Sequence, residues 1–231
     1  MRRLFSRLSI TKNIPLPRKL NDLINNLNLA NSTTRLKKAS AVVIFTETKL
    51  KGAFVIDLER REDKRGFFAR AFCQNEFKAH GLKPFIAQVN IASTSKEGTL
   101  RGLHFQYPPA AETKLVRCTR GAILDIIVDL RPESITYLQH VSVELNEVNQ
   151  RALYVPERFA HSYLTLRDDT DTSYHVGEFY TPETEGGLLY SDPRLRLAWP
   201  IPITTISEKD QNFPLLDQIE SELERRMTVS A

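Results

Sequence analysis

The sequence predicts an all-β fold, a sandwich or a barrel, and two observations carry that expectation. Between residues 43 and 200, short runs rich in Val, Ile, Leu, Phe and Tyr recur at close intervals, a composition that suits a pleated, half-buried surface. Turn material separates the runs at Arg65-Gly66, Tyr107 to Pro109, Arg120-Gly121, Asn146 to Asn149, Asp168 to Asp171 and Pro182 to Gly187. Closely spaced short strands divided by turn signals are the pattern of sandwiches and barrels.

In chain order, the first forty residues stand apart. They hold nine basic residues against Asp22 alone, a charge of +8 in a chain whose total is +4, so the remaining body carries −4. Leu20, Leu23, Ile24 and Leu27 have helical spacing, flanked by Pro15, Pro17 and an Asn/Ser/Thr stretch. A basic, acid-poor leader fits an organelle transit peptide or a disordered arm. The favoured reading is a translation artefact, with the true start near Val42 or Val43: Met1 and Met227 are the only methionines, and strand-like sequence begins abruptly at Ile44. Residues 1–42 are therefore set apart as a basic extension, poorly ordered or helical, and 43–231 as one domain. Within it, strands are expected at 53–58, 67–72, 85–91, 114–119, 122–130, 140–145, 151–155, 162–166, 172–180 and 195–199, and the run around His104 reads the same way. A brief helix is expected at 75–81 and a charged C-terminal helix at 214–227.

Composition removes several function classes. A chain of 231 residues can bury a substantial core, and no apolar run is long enough to cross a bilayer, so no membrane role is expected. The acidic body offers no electrostatic case for nucleic acid. Cys73 and Cys118 are too few for a disulfide framework or a thiolate metal site, and read as reduced thiols of a cytoplasmic protein.

Two runs carry the chemistry, 98–106 and 159–163, each placing a histidine (His104, His161) inside apolar strand sequence. Alternate residues of a strand share a face. His104 and Gln106 therefore point one way and Arg101 the other, unless a bulge at Gly102 turns Arg101 round. Lys114 shares its face with Val116 and Cys118. In 122–130 the even positions are apolar, while the opposite face holds Asp125 and Asp129. Tyr174 and Tyr180 share parity, and His175 points away. A lone strand histidine is more often a hydrogen-bonded core residue, and His80, His140 and His175 are read so. His104 and His161 instead stand beside small residues with polar neighbours on their face, and Lys114 opens a strand shortly after His104. A barrel lined with acid–base groups is expected. Asp210, in Ser207-Glu-Lys-Asp210, is by itself a capping-box residue before the last helix.

Metal is the rival use of paired histidines. A cupin-type site takes a His-x-His pair, a Glu soon after and a third His from a later strand. Here the first motif is His104-Phe105-Gln106, and two imidazoles with an amide are a poor donor set for zinc or iron. No metal is expected, and no phosphate loop or serine nucleophile elbow is present.

From Ile44 to Leu216 the chain resembles the dTDP-4-dehydrorhamnose 3,5-epimerases. The resemblance rests on Asp63-Lys-Arg-Gly-Phe-Phe68, Gln88-Val-Asn90, Leu100-Arg-Gly-Leu-His-Phe-Gln106, Lys114-Leu-Val-Arg-Cys118, Val128-Asp-Leu-Arg131, Val155-Pro156, Phe159-Ala-His161, Tyr174, Phe179-Tyr180, Trp199-Pro200 and Ser207-Glu-Lys-Asp210. It implies a cupin-like jelly-roll β-barrel with short C-terminal helices, no cofactor and no metal. It also implies a dTDP-sugar substrate and a homodimer that exchanges an N-terminal strand. The implied reaction inverts C3 and C5 of dTDP-4-dehydro-6-deoxy-D-glucose to give dTDP-4-dehydro-L-rhamnose. In that pattern His104 is the general base, Asp210 orients it, Tyr174 donates a proton on the opposite face and Lys114 stabilises the oxyanion. His161 is the second pocket histidine. Arg65, Gln88, Asn90, Arg101, Glu185 and Lys209 match substrate contacts, Arg65 in the neighbouring subunit's site, and Tyr180 matches the residue stacked on thymine. Two positions depart from the family: an acidic residue two places after Phe-Phe is Arg70, expected to reverse a charge in the pocket, and the Gly after Phe-Ala-His is Ser162, followed by Tyr163. They leave open a single-carbon epimerase, a ketoisomerase of a related nucleotide 4-keto-6-deoxy sugar, and a non-catalytic sugar-nucleotide binding module.

Overall fold

The computed structural model describes residues 42–228; the helix expected between Leu20 and Leu27 and the character expected of the extension lie outside the described residues. In chain order the strands are β1 (Val43–Glu47), β2 (Phe54–Leu58), β3 (Arg61–Asp63), β4 (Gly66–Phe68), β5 (Gln88–Thr94), β6 (Thr99–Gln106), β7 (Lys114–Arg120), β8 (Ala122–Asp129), β9 (His140–Asn146), β10 (Ala152–Val155), β11 (Phe159–Thr165), β12 (Thr170–Val176), β13 (Glu185–Gly187) and β14 (Thr205–Ile206). The helices are α1 (Gln74–Ala79), α2 (Glu208–Gln211) and α3 (Leu216–Met227), with a 3-10 turn at Pro182–Thr184.

Two sheets, ordered β1-β2-β10-β7-β12-β5 and β13-β6-β11-β8-β9, pack face to face as a jelly roll, so the all-β expectation holds. Side-chain alternation explains the packing. Val116 and Cys118 of β7 and Leu153 and Val155 of β10 meet Ile123 and Ile127 of β8 and Phe159 and Tyr163 of β11 in one core. The outer faces need cover of their own. α1 presses Phe77 onto Phe54, Ile56 and Tyr154, and α3 lays Leu216, Leu223 and Met227 over Leu103, Phe105 and Val128. Each such side chain withdrawn from water contributes about 2 kcal/mol. Asp217 in the first turn of α3 and Arg225 and Arg226 in its last suit the helix dipole.

Several boundaries differ from the sequence reading. The run 195–199 is not a strand: Pro193 and Pro200 bracket it and Arg196, a non-glycine residue, takes a left-handed φ of 49° that turns the chain out of extended conformation. The expected strand 67–72 shrinks to β4, which pairs only with β3 as a hairpin. The strand expected at 85–91 begins at Gln88 and runs on to Thr94, because its register follows β12 from Gln88 opposite Val176 to Thr94 opposite Thr170. β12 stops at Val176, where Gly177 packs so closely that a Cβ would lie 2.2 Å from the Thr113 hydroxyl. His80, expected as a hydrogen-bonded core residue, is instead exposed at the end of α1, where its Nδ1 lies 2.8 Å from the Glu76 carbonyl oxygen and its ring stacks on Phe45 with centroids 3.9 Å apart.

Candidate active site

β6 presents the first histidine, and a bulge decides which side chains share its face. Opposite β11, His104 pairs with His161 but Arg101 pairs with Tyr163, so Gly102 and Leu103 together oppose Ser162 alone. Arg101, which strict alternation would turn away, thereby lines the same cavity as His104, as the Gly102 bulge predicts. Only glycine serves here: Gly102 has φ +108°, and a Cβ would stand 2.5 Å from the His161 carbonyl oxygen. The Gly102 N–H donates to Asp210 Oδ2 at 3.1 Å, and Asp210 Oδ1 lies 2.7 Å from His104 Nε2. α2 delivers this carboxylate. The Ser207 side chain caps it by accepting from the Asp210 N–H at 3.0 Å, which leaves the Asp210 side chain for His104. Burial pushes the Asp210 carboxyl up, but the imidazole and the Gly102 N–H outweigh burial and hold it below the usual carboxylate range. An ionised partner on Nε2 keeps the ring proton there and leaves Nδ1 as the basic nitrogen.

The opposite sheet supplies the other groups. Tyr174 lies mid-strand in β12, between Asn90 of β5 and Val116 of β7, and its ring is 6.2 Å from that of His161. Burial drives the Tyr174 phenol well above its ordinary range, and the neighbouring Tyr163 and Asp125 push it the same way. It is therefore a protonated donor at neutral pH. Lys114, at the head of β7, places Nζ 3.2 Å from Glu112 Oε1, both side chains largely buried. His161 Nε2 is 2.7 Å from Asp125 Oδ1, though out of line for a hydrogen bond.

At the mouth, Tyr180 is 57% exposed, a flat open ring. Its hydroxyl donates to Glu185 Oε2 at 3.0 Å, and Lys209 Nζ donates to Glu185 Oε1 at 2.6 Å. Burial raises the Glu185 carboxyl, but Lys209 and Tyr180 outweigh it and leave it below its usual value. Gln106 fixes the loop that bears Tyr180: its Oε1 accepts from the Thr181 N–H at 2.6 Å and its Nε2 donates to the carbonyls of Ala110 and Phe179. That amide is spent on backbone, and among the described residues no three His, Cys, Asp or Glu side chains converge as a metal site. The cavity, open to solvent at its mouth, measures about 660 Å³, within the usual range for small-molecule sites.

Residues 47–218 match the model of a family described as dTDP-4-dehydrorhamnose 3,5-epimerase. The chain belongs to that family. A Methanothermobacter thermautotrophicus protein named dTDP-4-dehydrorhamnose 3,5-epimerase is 41% identical over 172 residues, covering 73% of this chain and 92% of its own. The crystal structure of dTDP-6-deoxy-D-glucose-3,5-epimerase from Legionella pneumophila, in complex with dTDP-4-keto-L-rhamnose, is 33% identical. It covers 79% of this chain and 97% of its own with a TM-score of 0.74. A Streptomyces niveus protein named dTDP-4-dehydrorhamnose 3-epimerase is 36% identical over 168 residues, 72% of this chain and 81% of its own.

Within this family member, every residue singled out from the sequence lines the cavity except Arg65: His104, Asp210, Tyr174, Lys114, Gln88, Asn90, Arg101, His161, Tyr180, Glu185 and Lys209 come together. Arg65 sits at the β3–β4 turn, its side chain 89% exposed and paired with Asp63. The expectation for Arg70 is corrected. It does not line the cavity; the chain turns toward α1 after β4, and the guanidinium pairs with Glu76 at 2.5 Å. Glu112 and Tyr163 line the cavity and were not foreseen as site groups. Strand parity contains a signal for Glu112, which lies two residues before Lys114 and so shares its face.

Proposed function

We propose that this chain inverts C3 and C5 of dTDP-4-dehydro-6-deoxy-D-glucose, giving dTDP-4-dehydro-L-rhamnose. One observation carries the reading: a histidine–carboxylate pair and a protonated phenol line one cavity from opposite sheets, with an ammonium beside the phenol's sheet neighbours. Both target carbons flank the C4 ketone, so loss of either proton gives an enolate and no cofactor is needed to make the carbon acidic. His104 takes the proton, and Asp210 stabilises the imidazolium that results, a positioned base being worth about 10²–10⁴-fold. Lys114 meets the charge developing on O4, a contribution of about 3 kcal/mol in a cavity of low dielectric. Tyr174 returns a proton from the other face, which is what inversion requires. Arg101 and Lys209 offer cationic contacts for the diphosphate, Gln88, Asn90, His161 and Glu185 hold the sugar, and Tyr180 gives thymine a stacking surface.

The unit that acts is the 43–231 domain, working as a homodimer in the cytoplasm. Supporting the dimer, β5 is an edge strand whose Val89 and Ile91 are 57% and 78% exposed, and apolar surface on an unpaired edge invites a second copy. In such a dimer Arg65 and the exposed Phe67 and Phe68 would belong to the partner's site, with the N-terminal strand exchanged. Both cysteines are unpaired, in keeping with a reducing compartment, and no described helix is long and apolar enough to cross a membrane. Proton NMR of the purified protein with the dTDP-4-keto substrate in heavy water tests the reaction. Deuterium at both C3 and C5 with an L-rhamno product supports it, deuterium and inversion at one carbon only reassigns it as a single-carbon epimerase, and binding without exchange makes it a binding module.

A further inference from the structure

Tyr163 is a buried polar side chain to which the proposed reaction gives no task. Its ring fills the core between the sheets and needs no hydroxyl to do so. The residue is 1% exposed, where a hydroxyl is costly unless it is hydrogen-bonded. Its oxygen lies 3.3 Å from the Thr172 hydroxyl, and the Thr172 hydroxyl lies 3.3 Å from the oxygen of Tyr174. Tyr163 comes from β11 and the other two from β12, so this hydroxyl chain joins the two sheets beside the cavity that Tyr163 and Tyr174 line.

We propose that Tyr163, acting through Thr172, is a positioning residue for Tyr174: it aims the phenol at the substrate carbon and shares the negative charge left when the phenol's proton departs. The proposal rests on the reading of Tyr174 as the acid. A hydroxyl has one hydrogen, so Thr172 donates to only one phenol at a time. When the Tyr174 proton moves to the enolate carbon, Thr172 donates to the new phenolate and Tyr163 donates to Thr172. Each bond of such a chain polarises the next. The alternative is a bare phenolate, buried and repelled by the nearby Asp125. Protons balance: in each inversion His104 holds the one removed from carbon and Tyr174 lacks the one delivered, and both reset by exchange with water before the second carbon is inverted.

A double-mutant cycle tests this, with inversion and deuterium exchange followed separately by NMR. Tyr163→Phe removes one oxygen, and Thr172 keeps Tyr174 and the Ala92 carbonyl, 3.4 Å away, as partners. It should slow inversion about tenfold, the worth of one hydrogen bond in the chain that carries the phenolate charge, with exchange changed less than about twofold. In a Tyr174→Phe background the same substitution should do nothing further, and Thr172→Val in the otherwise native enzyme should reproduce its effect. Equal slowing in both backgrounds, no slowing in the native background, or a Thr172→Val enzyme that inverts normally would each overturn the proposal. A native enzyme that neither exchanges nor inverts would instead overturn the functional reading beneath it.

Discussion

Replacing Asp210 by Asn removes a charge and almost no volume, which makes it a sharp test of the His104 pair. The carboxylate accepts twice: from His104 at 2.7 Å and from the Gly102 N–H at 3.1 Å. An amide has one accepting end, its oxygen, and one donating end, its NH2, so in this geometry it can satisfy only one of these. With its oxygen toward His104, the amide NH2 confronts the Gly102 N–H and leaves a buried donor unpaired, at about 1–3 kcal/mol. With its oxygen toward Gly102, the NH2 meets Nε2 and forces the ring proton onto Nδ1, which removes the base. In either case the imidazolium also loses an ionised partner worth about 1.5–3 kcal/mol. The unpaired donor weighs on folding, and the lost ionised partner adds up to about 3 kcal/mol to the barrier, a fall of up to about 10²-fold in kcat, with KM changed less than about threefold, because Asp210 acts through His104. The assay is the rate of deuterium uptake at C3 and C5 under saturating substrate, with thermal unfolding as the folding control. A folded variant that exchanges at more than about a tenth of the native rate would refute the reasoning.

Other perturbations probe separate parts of the account. Gly102→Ala should cost about 3 kcal/mol in urea unfolding and abolish exchange, since the new Cβ meets the His161 carbonyl at 2.5 Å and the backbone there favours glycine; native-like stability would contradict the bulge. Tyr174→Phe should slow inversion far more than exchange, and equal loss of both would contradict its role as acid. Asp129, fully buried, accepts from Arg131, Ser134 and Thr136. Burial raises its carboxyl, but these donors outweigh burial and set it below the unfolded value of about 3.9. Its stabilisation is therefore complete above that value and is lost as pH falls through the folded one. Asp129→Asn should cost about 3 kcal/mol at pH 7, with the gap to the native protein closing as pH falls below the unfolded value and through the lower folded one; a gap independent of pH would refute the assignment.

Much of the barrel was legible because alternation is a local signal. β7 and β8 were recognisable from their own residues, and so was the shared face of Lys114, Val116 and Cys118. β13 and β14 were not, since runs of two or three residues have no period of their own and are held by pairing with β6. The false strand at 195–199 shows the reverse: apolar content was present, but the flanking prolines and the turn at Arg196 prevent a ladder. In the site, His104, Lys114 and Tyr174 could be placed from parity. Arg101 required the bulge that Gly102 hints at. Asp210 stands 106 positions from His104, so no local pattern links them, and only the family resemblance brought them together. Arg70 misled because its substitution is visible in sequence while its partner, Glu76 on α1, is a fact of the folded chain.

The central claim is that one imidazole removes hydrogen from carbon next to a ketone. The most direct measurement compares native protein and His104→Ala for deuterium uptake into dTDP-4-dehydro-6-deoxy-D-glucose. The account predicts uptake at C3 and C5 by the native chain and a loss of at least about a thousandfold at both carbons in the variant. A folded His104→Ala protein that still exchanges either carbon at near the native rate would contradict it.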